Sequence, residues 1–519
     1  MRFGQVRASS VWTWGVVPII FGAIVLAFPS WLNGSPFLFD DSDGYFRSGK
    51  SIASQIYKSI DEFIPADESK PSSSPDPAKA KQADNYQITL ISARSPFYGF
   101  LLYVSGTLAG LWGIVFIQAL VASFVLWRAS SALTLSPNLP AFLSILATAA
   151  VATSLPWFVN FAMPDVWLSF CVLLFGCMVF SLKPLSRSDG IVLASLAAMA
   201  VLFHNTNLPI LLFAIVATTS IAAMLNLLGE NVWKGCLSVT VGIVIASATL
   251  WAFKVTAERH FHERLRMPIF ITARLLADGP GRQYLRQSCA EDKSRYALCK
   301  YESLPLDNSE EILWSVDPAR GVYTVADVPT RFALSDEQLS FALSTFFSDP
   351  LGVAGAASKN ALKQLTKFGL SEFSTNYWKR WAGSEYWSTL AIFGIVGRAA
   401  NCLKNPNTCA PTSAVHVFDT VAKLALLFSS AFLLWKIFWY LSGRGAPAAV
   451  NRNVVALSLF SLIIVFLNAV VCGALSGPND RYQARLVWII PVLSCLIATS
   501  TAPFRLQFFQ QRFARFTKP

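Results

Sequence analysis

The chain of 519 residues is 54% hydrophobic and only 14% charged, with a mean hydropathy of +0.48. This composition excludes an ordinary soluble protein and indicates an all-α polytopic membrane protein surrounded by a lipid bilayer. The formal net charge of +12 is compatible with nucleic-acid binding, but the basic residues lie mainly in short segments between apolar runs. The positive-inside rule accounts for that placement, so we expect no nucleic-acid partner.

Apolar runs long enough to cross a hydrocarbon core, which needs about 20 helical residues, occur along most of the chain. The first run follows two arginines and lacks the short core and small-residue site of a cleaved leader, so we interpret it as a retained signal anchor. The second is too long for one straight helix and is expected to break at Gly106, Gly110 or Gly113. About ten spans are predicted, at residues 11–31, 97–127, 139–156, 166–182, 191–203, 208–228, 236–253, 417–441, 454–475 and 486–499.

Threading these spans alternately through the bilayer places Arg128, Lys183 and Lys234 on the same side as both chain termini, as the positive-inside rule requires. Three regions follow from this topology. Residues 1–253 form a membrane module whose external loop, 32–96, carries an acidic motif. Residues 254–416 form an external and mostly helical region, and residues 417–519 form the last membrane helices with a basic cytoplasmic tail.

Two locally spaced cysteine pairs lie in the predicted external region, Cys289 with Cys299 and Cys402 with Cys409. In an oxidising compartment each pair is expected to form a disulfide. A zinc site is the alternative, but neither pair has the two-residue spacing or the nearby histidines that such a site uses. The remaining five cysteines fall in apolar runs and are interpreted as small hydrophobic residues.

Three carboxylates, Asp40, Asp41 and Asp43, follow the first span within four positions, where they do not help a helix to insert. A carboxylate at the outer mouth of a helix bundle can act as a general base or hold a divalent metal, Mg²⁺ or Mn²⁺, on a phosphate. The alternative is a solvated helix start with an aspartate N-cap. Asp165, between the third and fourth spans, is expected at the same surface, either as a further metal ligand or as an interfacial N-cap.

Two arginines, Arg481 and Arg485, precede the last span on its predicted outer side, where topology disfavours positive charge. Their planar guanidinium groups suit phosphate oxygens. Snorkelling towards the interface, or an ion pair between Asp480 and Arg481, is the alternative. Arg94, before the second span, is a further candidate for phosphate binding, and His204 near a span end is either a sugar contact or part of a polar turn.

Three short motifs stand at the ends of predicted spans. They are an acidic motif followed by tyrosine, an arginine-proline-tyrosine segment before the second span, and an arginine-tyrosine pair before a last span that contains proline. The residues that carry them are Asp40-Asp41 with Tyr45, Arg94-Ser95-Pro96-Phe97-Tyr98, and Arg481-Tyr482 with Pro491. Together these motifs resemble those of the GT-C superfamily of integral membrane glycosyltransferases.

The resemblance implies an inverting transfer of a sugar from a polyprenyl-phosphate carrier to a glycan, lipid or protein acceptor. It also implies Asp41 or Asp40 as the base, Arg481 or Arg485 on the donor phosphate, and substrate contacts from Tyr45, Tyr98 and Tyr482. The implied location is a bacterial inner membrane with the active site on the periplasmic face. Metal dependence differs across the superfamily and stays open.

Two other classes remain as alternatives. A polymerase or ligase of lipid-linked glycans shares the same acid and arginine chemistry but uses a whole oligosaccharide as donor. A multi-span transporter is expected to place ionisable groups near the membrane midplane, often in two related halves. Here the acids cluster at span ends and no clear internal repeat is present in the sequence.

Overall fold

The computed structural model describes residues 9–61, 94–133, 139–374, 387–404, 411–443 and 448–501. Within these ranges every regular element is a helix, and the only β-type pairing is an isolated bridge between Phe37 and Phe161. The predicted all-α fold is therefore confirmed for the described residues.

The described residues in the first half of the chain lie mainly in helices. In order they are α1 (Ser9–Leu26), α2 (Phe28–Asn33), α3 (Asp40–Asp61), α4 (Pro96–Ala109), α5 (Leu111–Ala129), α6 (Leu139–Ala152), α7 (Leu155–Val159), α8 (Val166–Val179), α9 (Arg187–Phe203), α10 (Asn207–Met224) and α11 (Glu230–Phe261). The expected break in the second apolar run occurs between α4 and α5 at Gly110, whose φ of +59° favours glycine.

The second half begins with shorter helices and returns to long apolar ones. In order they are α12 (Phe270–Asp278), α13 (Pro280–Glu291), α14 (Ser309–Trp314), α15 (Val328–Ser348), α16 (Pro350–Leu365), α17 (Trp387–Ile392), α18 (Val396–Lys404), α19 (Thr412–Leu441), α20 (Ala448–Leu475), α21 (Asp480–Val487) and α22 (Ile489–Thr501). Two single 3₁₀ turns lie at Ala297–Tyr301 and Ser371–Ser374.

Within the described ranges, seven helical segments are long and apolar enough to cross a membrane, so the chain is an integral, polytopic membrane protein. The three other predicted spans correspond to α6, α8 and α9, which have only 14, 14 and 17 residues. The count of about ten spans therefore stays a prediction. The seven segments are Gly15–Asn33, Leu111–Ala129, Asn207–Met224, Glu230–Phe261, Thr412–Leu441, Arg452–Leu475 and Asp480–Ser500.

The predicted region boundaries at residues 253 and 416 fall inside helices. Helix α11 continues to Phe261, and α19 begins at Thr412. An apolar window ends where a helix leaves the bilayer, but the backbone hydrogen bonds continue through the polar turns that follow. The last turns of α11, with Glu258 and Arg259, illustrate this.

Helix α8 lies at the centre of the helix bundle. Each of its residues from Val166 to Val179 is buried, as expected for a helix that is apolar on all sides. Helices α5, α9, α20 and α21 pack around it. This arrangement brings Asp165, which immediately precedes α8, against α21.

Helices α3 and α4 approach each other closely through two glycines. A Cβ atom on Gly49 would collide with the Gly99 carbonyl, and a Cβ atom on Gly99 would collide with the Tyr45 carbonyl. Only glycine permits this separation of the two backbones. The close contact fixes Arg94, which precedes α4, beside the first turn of α3.

A second, smaller core is built from α12 to α15 and the turns between them, with Ile269, Leu285 and Phe341 fully buried. Cys289 and Cys299 form a disulfide within it, with 5.6 Å between their Cα atoms. The side chain of Cys402 and the whole of Cys409 lie outside the described residues, so the second predicted pair has no structural description.

Candidate functional site

The acidic motif begins a helix that is held in place by main-chain contacts with a distant segment. The Phe37 N–H donates to the Asn160 carbonyl at 2.9 Å, and the Ala162 N–H donates to the Phe37 carbonyl at 3.0 Å. The Ser42 hydroxyl accepts from the Phe39 N–H and donates to the Ala162 carbonyl, each at 3.0 Å. The first turn of α3 is thereby fixed next to the segment that leads to Asp165.

Asp41 is the carboxylate of this motif that faces the arginines. Its Oδ1 atom forms an ion pair with Nη2 of Arg94, and its Oδ2 atom lies 3.8 Å from Nη1 of Arg481. Burial acts to raise the pKa of Asp41, but the positive charges of Arg94 and Arg481 outweigh it and hold the pKa below its ordinary value. The carboxylate is therefore ionised at neutral pH.

Asp43 and Asp40 occupy the same turn in different surroundings. The Asp43 carboxylate pairs with Nε of Arg47 at 2.7 Å and accepts a hydrogen bond of 3.2 Å from the Thr389 hydroxyl. It is therefore engaged with α17 and with its own helix. Asp40 is the first residue of α3 and is half-buried.

Helix α21 carries Arg481 and Arg485 one turn apart on the same side, and both arginines point into the protein. The helix start is fixed by Asn479, whose side chain accepts a hydrogen bond of 2.9 Å from the Arg481 N–H. Arg481 is 7% exposed and Arg485 is fully buried, so neither snorkels to the surface. The Asp480 carboxylate instead accepts hydrogen bonds from the Gly369 N–H and the Ser371 hydroxyl, away from Arg481.

Asp165 lies between the two arginines. Its Oδ1 atom is 3.8 Å from Nε of Arg481 and 3.8 Å from Nη1 of Arg485. It occupies the N-cap position of α8, but its side chain makes no capping hydrogen bond. Asp165 therefore holds the predicted N-cap position but does not cap the helix with its side chain, because the carboxylate turns towards the arginines instead of towards the first backbone N–H groups of α8.

Several polar atoms of this arrangement have no hydrogen-bond partner within the described ranges. They are both carboxylate oxygens of Asp165 and the Nε and Nη1 atoms of Arg481 and Arg485. Buried polar atoms in this condition are costly unless a bound group satisfies them. The residues Asp41, Asp165, Arg94, Arg481 and Arg485, here called the charged cluster, carry three positive and two negative side chains. An anion fits this balance.

A divalent metal fits the charged cluster poorly. Mg²⁺ or Mn²⁺ needs several oxygen or nitrogen ligands around one point. No group of three or more His, Cys, Asp or Glu side chains suited to a metal occurs in the part of the chain that the structure describes. The guanidinium groups of Arg481 and Arg485 already face Asp165, and that of Arg94 is paired with Asp41. We therefore assign no chemical step to a metal.

The tyrosines and the histidine surround the charged cluster in different ways. Tyr45 and Tyr98 pack edge-to-face with ring centroids 5.2 Å apart, and both are buried. Burial raises the pKa of Tyr45, so its hydroxyl stays protonated. The Arg481 guanidinium lies 5.3 Å from the ring of Tyr482. Burial, with the charge of Arg485, lowers the pKa of His204 to about 4, so its imidazole is neutral at pH 7.

The chain matches no protein-family model, no curated protein and no solved structure. The GT-C resemblance accordingly stays a prediction.

Residues from distant elements also reach the charged cluster. The Arg481 guanidinium lies over the ring of Phe39, 4.2 Å from its centroid. Nη2 of Arg485 donates to Asn468 at 3.3 Å and to the Cys472 sulfur at 3.5 Å, both on α20. Trp314 lies over Arg94. An asparagine within an apolar span is a sequence signal that points to Asn468, whereas nothing near Trp314 in the sequence indicates its position.

Helix α14 of the smaller core covers one side of the charged cluster. Its Trp314 side chain contacts Arg94, and Glu310 lies one turn earlier on the same side of the helix. The Glu310 side chain is exposed on its outer side, but partial desolvation by the neighbouring protein raises its pKa, and the negative charge of Asp41 adds to this effect. A further carboxyl group therefore stands near Asp41 at the rim of the cluster.

Proposed function

We propose that the protein is a membrane glycosyltransferase that moves a sugar from a polyprenyl-phosphate carrier to an acceptor on the external face of the membrane. The observation that carries this proposal is the pair of buried arginines, Arg481 and Arg485, whose Nε and Nη1 atoms have no hydrogen-bond partner within the described ranges. Arg481 also lies 3.8 Å from the ionised Asp41 carboxylate. An anion-binding group next to a carboxylate is what transfer from a sugar phosphate requires. A bacterial inner membrane with a periplasmic site is part of the proposal.

In the proposed reaction the acceptor hydroxyl attacks the anomeric carbon of the sugar. Asp41 takes the hydroxyl proton while the new oxygen–carbon bond forms. The bond between the anomeric carbon and the phosphate oxygen breaks, and its electron pair leaves with the phosphate. Arg481 and Arg485 stabilise the negative charge that develops there. A single displacement of this kind inverts the anomeric configuration.

Asp41 is a better base for this role than Asp43. Asp43 is occupied by Arg47 and Thr389, whereas Asp41 lies 3.8 Å from the arginine that would hold the phosphate. Arg94 keeps Asp41 ionised and fixes its position. Arg94 is thus a positioning residue in the proposal and does not bind the donor phosphate.

The proposal is tested by two measurements on the purified full-length protein. Lipids that copurify with the protein are identified by mass spectrometry. Sugar transfer is measured in phospholipid vesicles supplied with polyprenyl-phosphate sugars. We expect a carrier lipid to copurify with the wild-type protein and to be lost from the Arg481→Ala, Arg485→Ala double variant. Arg128→Ala is the matched control, because Arg128 pairs with Asp189 outside the charged cluster.

Asp41→Asn separates an enzyme from a transporter. It should retain the carrier lipid but lose release of the free carrier phosphate by about a hundredfold or more, as expected when a general base is removed. If a correctly folded Asp41→Asn variant releases the carrier phosphate as fast as the wild type, the proposed chemistry is contradicted.

A further inference from the structure

The C-terminal half of α15 carries an apolar face that is exposed. Leu339, Leu343, Phe346 and Phe347 recur at intervals that place them on one side of the helix. Helix α16 adds Leu351 immediately after the turn. The exposed fraction of these five side chains runs from 44% at Phe346 to 85% at Leu351, too much contiguous apolar surface for a face in water.

The other side of the same helix is already used. Leu334, Phe341 and Thr345 are buried, and Leu334 and Phe341 belong to the smaller core. Helix α15 therefore has one apolar face packed against protein and a second apolar face that remains outside it. Rotation of the helix in its present packing cannot bury both.

Two contacts give the direction of α16 relative to α20. Near the end of α16, the Gln364 side chain donates a hydrogen bond of 2.8 Å to the carbonyl of Asn479, which lies beyond the C-terminal end of α20. Three residues earlier, α16 packs against α20 at Gly473, where an added Cβ would lie 2.8 Å from the Cα of Ala361. Residues earlier in α16 therefore lie beside residues earlier in α20, further from its C-terminal end and deeper along a helix that spans the membrane.

This direction carries the tip of the hairpin towards the bilayer interior. The eleven residues from Ala361 back to Pro350 correspond to about 16 Å of helix. That length is roughly half of a hydrocarbon core about 30 Å thick. Phe347 and Leu351 lie on either side of the turn, at the end of α16 that is farthest from the C-terminal end of α20.

Charged residues are distributed as this placement requires. Residues 338–358 contain one charged side chain, Asp349. Exposed Lys359 and Lys363 lie near Ala361, level with the end of α20, where lipid phosphates would stand. Asp336 and Glu337 lie at the other end of the apolar face, next to the smaller core.

The turn between α15 and α16 leaves few polar groups without a partner. The Asp349 N–H donates to the Thr345 carbonyl at 3.1 Å, and Pro350 has no N–H. The Asp349 carboxylate accepts a hydrogen bond of 2.8 Å from the Gly352 N–H, and the Asp349 carbonyl accepts one of 3.1 Å from Val353. Such internal satisfaction is what a backbone needs in hydrocarbon.

We infer that the α15–α16 hairpin inserts its tip into the lipid acyl chains of the leaflet that adjoins the charged cluster. Its partner is the bilayer itself, reached by continuity with the membrane-spanning α20. The predicted external region is thus attached to the membrane at this hairpin as well as through its flanking spans. The inference is independent of the reaction that the protein catalyses.

The test uses the full-length protein in phosphatidylcholine vesicles, with one introduced cysteine labelled by a small fluorophore. Phe347→Cys and Leu351→Cys probe the tip. Phe428→Cys, exposed in the middle of α19, is the lipid-facing control, and Lys293→Cys, exposed on the smaller core, is the aqueous control. Wild-type protein treated identically gives the background from native cysteines. Quenching is measured with nitroxide-labelled lipids and with aqueous iodide.

We expect both tip positions to be quenched several-fold more by nitroxide lipids than Lys293→Cys and to be protected from iodide, as Phe428→Cys is. Quenching of the tip labels by iodide to the level of Lys293→Cys overturns the inference. Two tip positions are used so that poor folding of one variant does not leave the result undecided.

Discussion

The indole ring of Trp314 lies over the guanidinium group of Arg94, with 5.3 Å between the ring centroid and the Arg94 Cζ atom. This contact joins the smaller core to the residue that pairs with Asp41. The smaller core therefore contributes directly to the position of the candidate base.

Replacing Trp314 with alanine should weaken the proposed reaction without preventing folding. A cation–π contact contributes about 0.5–2 kcal/mol, so we expect kcat/KM to fall by about 2- to 30-fold. Trp314→Phe should recover part of the loss because it keeps an aromatic face. Val316→Ala, two residues later and exposed, is the matched control and should behave as wild type. An equal fall of kcat/KM in Val316→Ala would show that loss of the Trp314–Arg94 contact is not the cause.

Replacing Arg94 with alanine should shift the pH dependence of the reaction. In the wild type, Arg94 and Arg481 hold the pKa of Asp41 below its ordinary value against the effect of burial. Without Arg94 the pKa rises, so the acid limb of the pH–rate profile should move to higher pH. Arg94→Lys keeps the positive charge and should move it less. An unchanged acid limb in Arg94→Ala would show that Asp41 is not the group being titrated.

The same pair should also contribute to stability in a defined pH window. A carboxyl group with a lowered folded-state pKa stabilises the folded state above its unfolded pKa, and this contribution is lost as the pH falls through the folded value. Wild-type protein should therefore lose more unfolding free energy than Asp41→Asn when the pH is lowered from about 5 to about 2, across and below the ordinary aspartate pKa. Thermal unfolding in detergent across this range measures the difference.

Replacing Asp165 with asparagine should destabilise the protein and increase its response to anions. The change leaves two buried arginines without their shared negative charge, and removing one member of a buried ion pair costs about 3–5 kcal/mol. Added polyprenyl phosphate should then raise Tm more in Asp165→Asn than in the wild type. Asp189→Asn, which breaks the Arg128 pair elsewhere, should not gain this response. An equal rise of Tm in Asp165→Asn and Asp189→Asn would show that Asp165 does not belong to the anion site.

Removing the disulfide should loosen the smaller core selectively. Cys289 and Cys299 are ten residues apart, and closing a loop of this size contributes about 2–4 kcal/mol. The Cys289→Ala, Cys299→Ala variant should be cut by protease within the smaller core at lower denaturant concentration than the wild type. Cys495→Ala, a free cysteine on α22, is the control. Identical cleavage of all three proteins would contradict a stabilising role.

The helices were predictable because each membrane-buried segment is a continuous run of apolar residues. The break at Gly110 also follows from the local pattern, and the structure places a break between two helices there. Helix ends were less predictable, because hydrogen bonding continues past the apolar window, as it does in α11. Helices α6 and α8 end before the predicted spans do, since polar or proline-containing turns follow them closely, whereas α9 begins four residues earlier than the span predicted at 191–203.

The candidate site was predictable where its chemistry is unusual for its place in the sequence. Acids directly after a span do not help it to insert, and arginines on the predicted outer side run against the positive-inside rule. The structure brings Asp41, Asp165, Arg481 and Arg485 together. The roles within the site were harder to predict. Arg94 pairs with Asp41, and Asp165 faces arginines, because their partners come from elements distant in sequence. Trp314 gave no local signal at all.

The main-chain hydrogen bonds that join Phe37 to Asn160 and Ala162 have a further consequence. They attach the segment before Asp41 to the segment before Asp165, so the two carboxylates are spaced by backbone geometry and not by their own side chains. The cluster is preorganised before any substrate arrives, and little conformational entropy remains to be lost on binding. Substitutions of the acids should therefore change the chemistry of the cluster while leaving its shape intact.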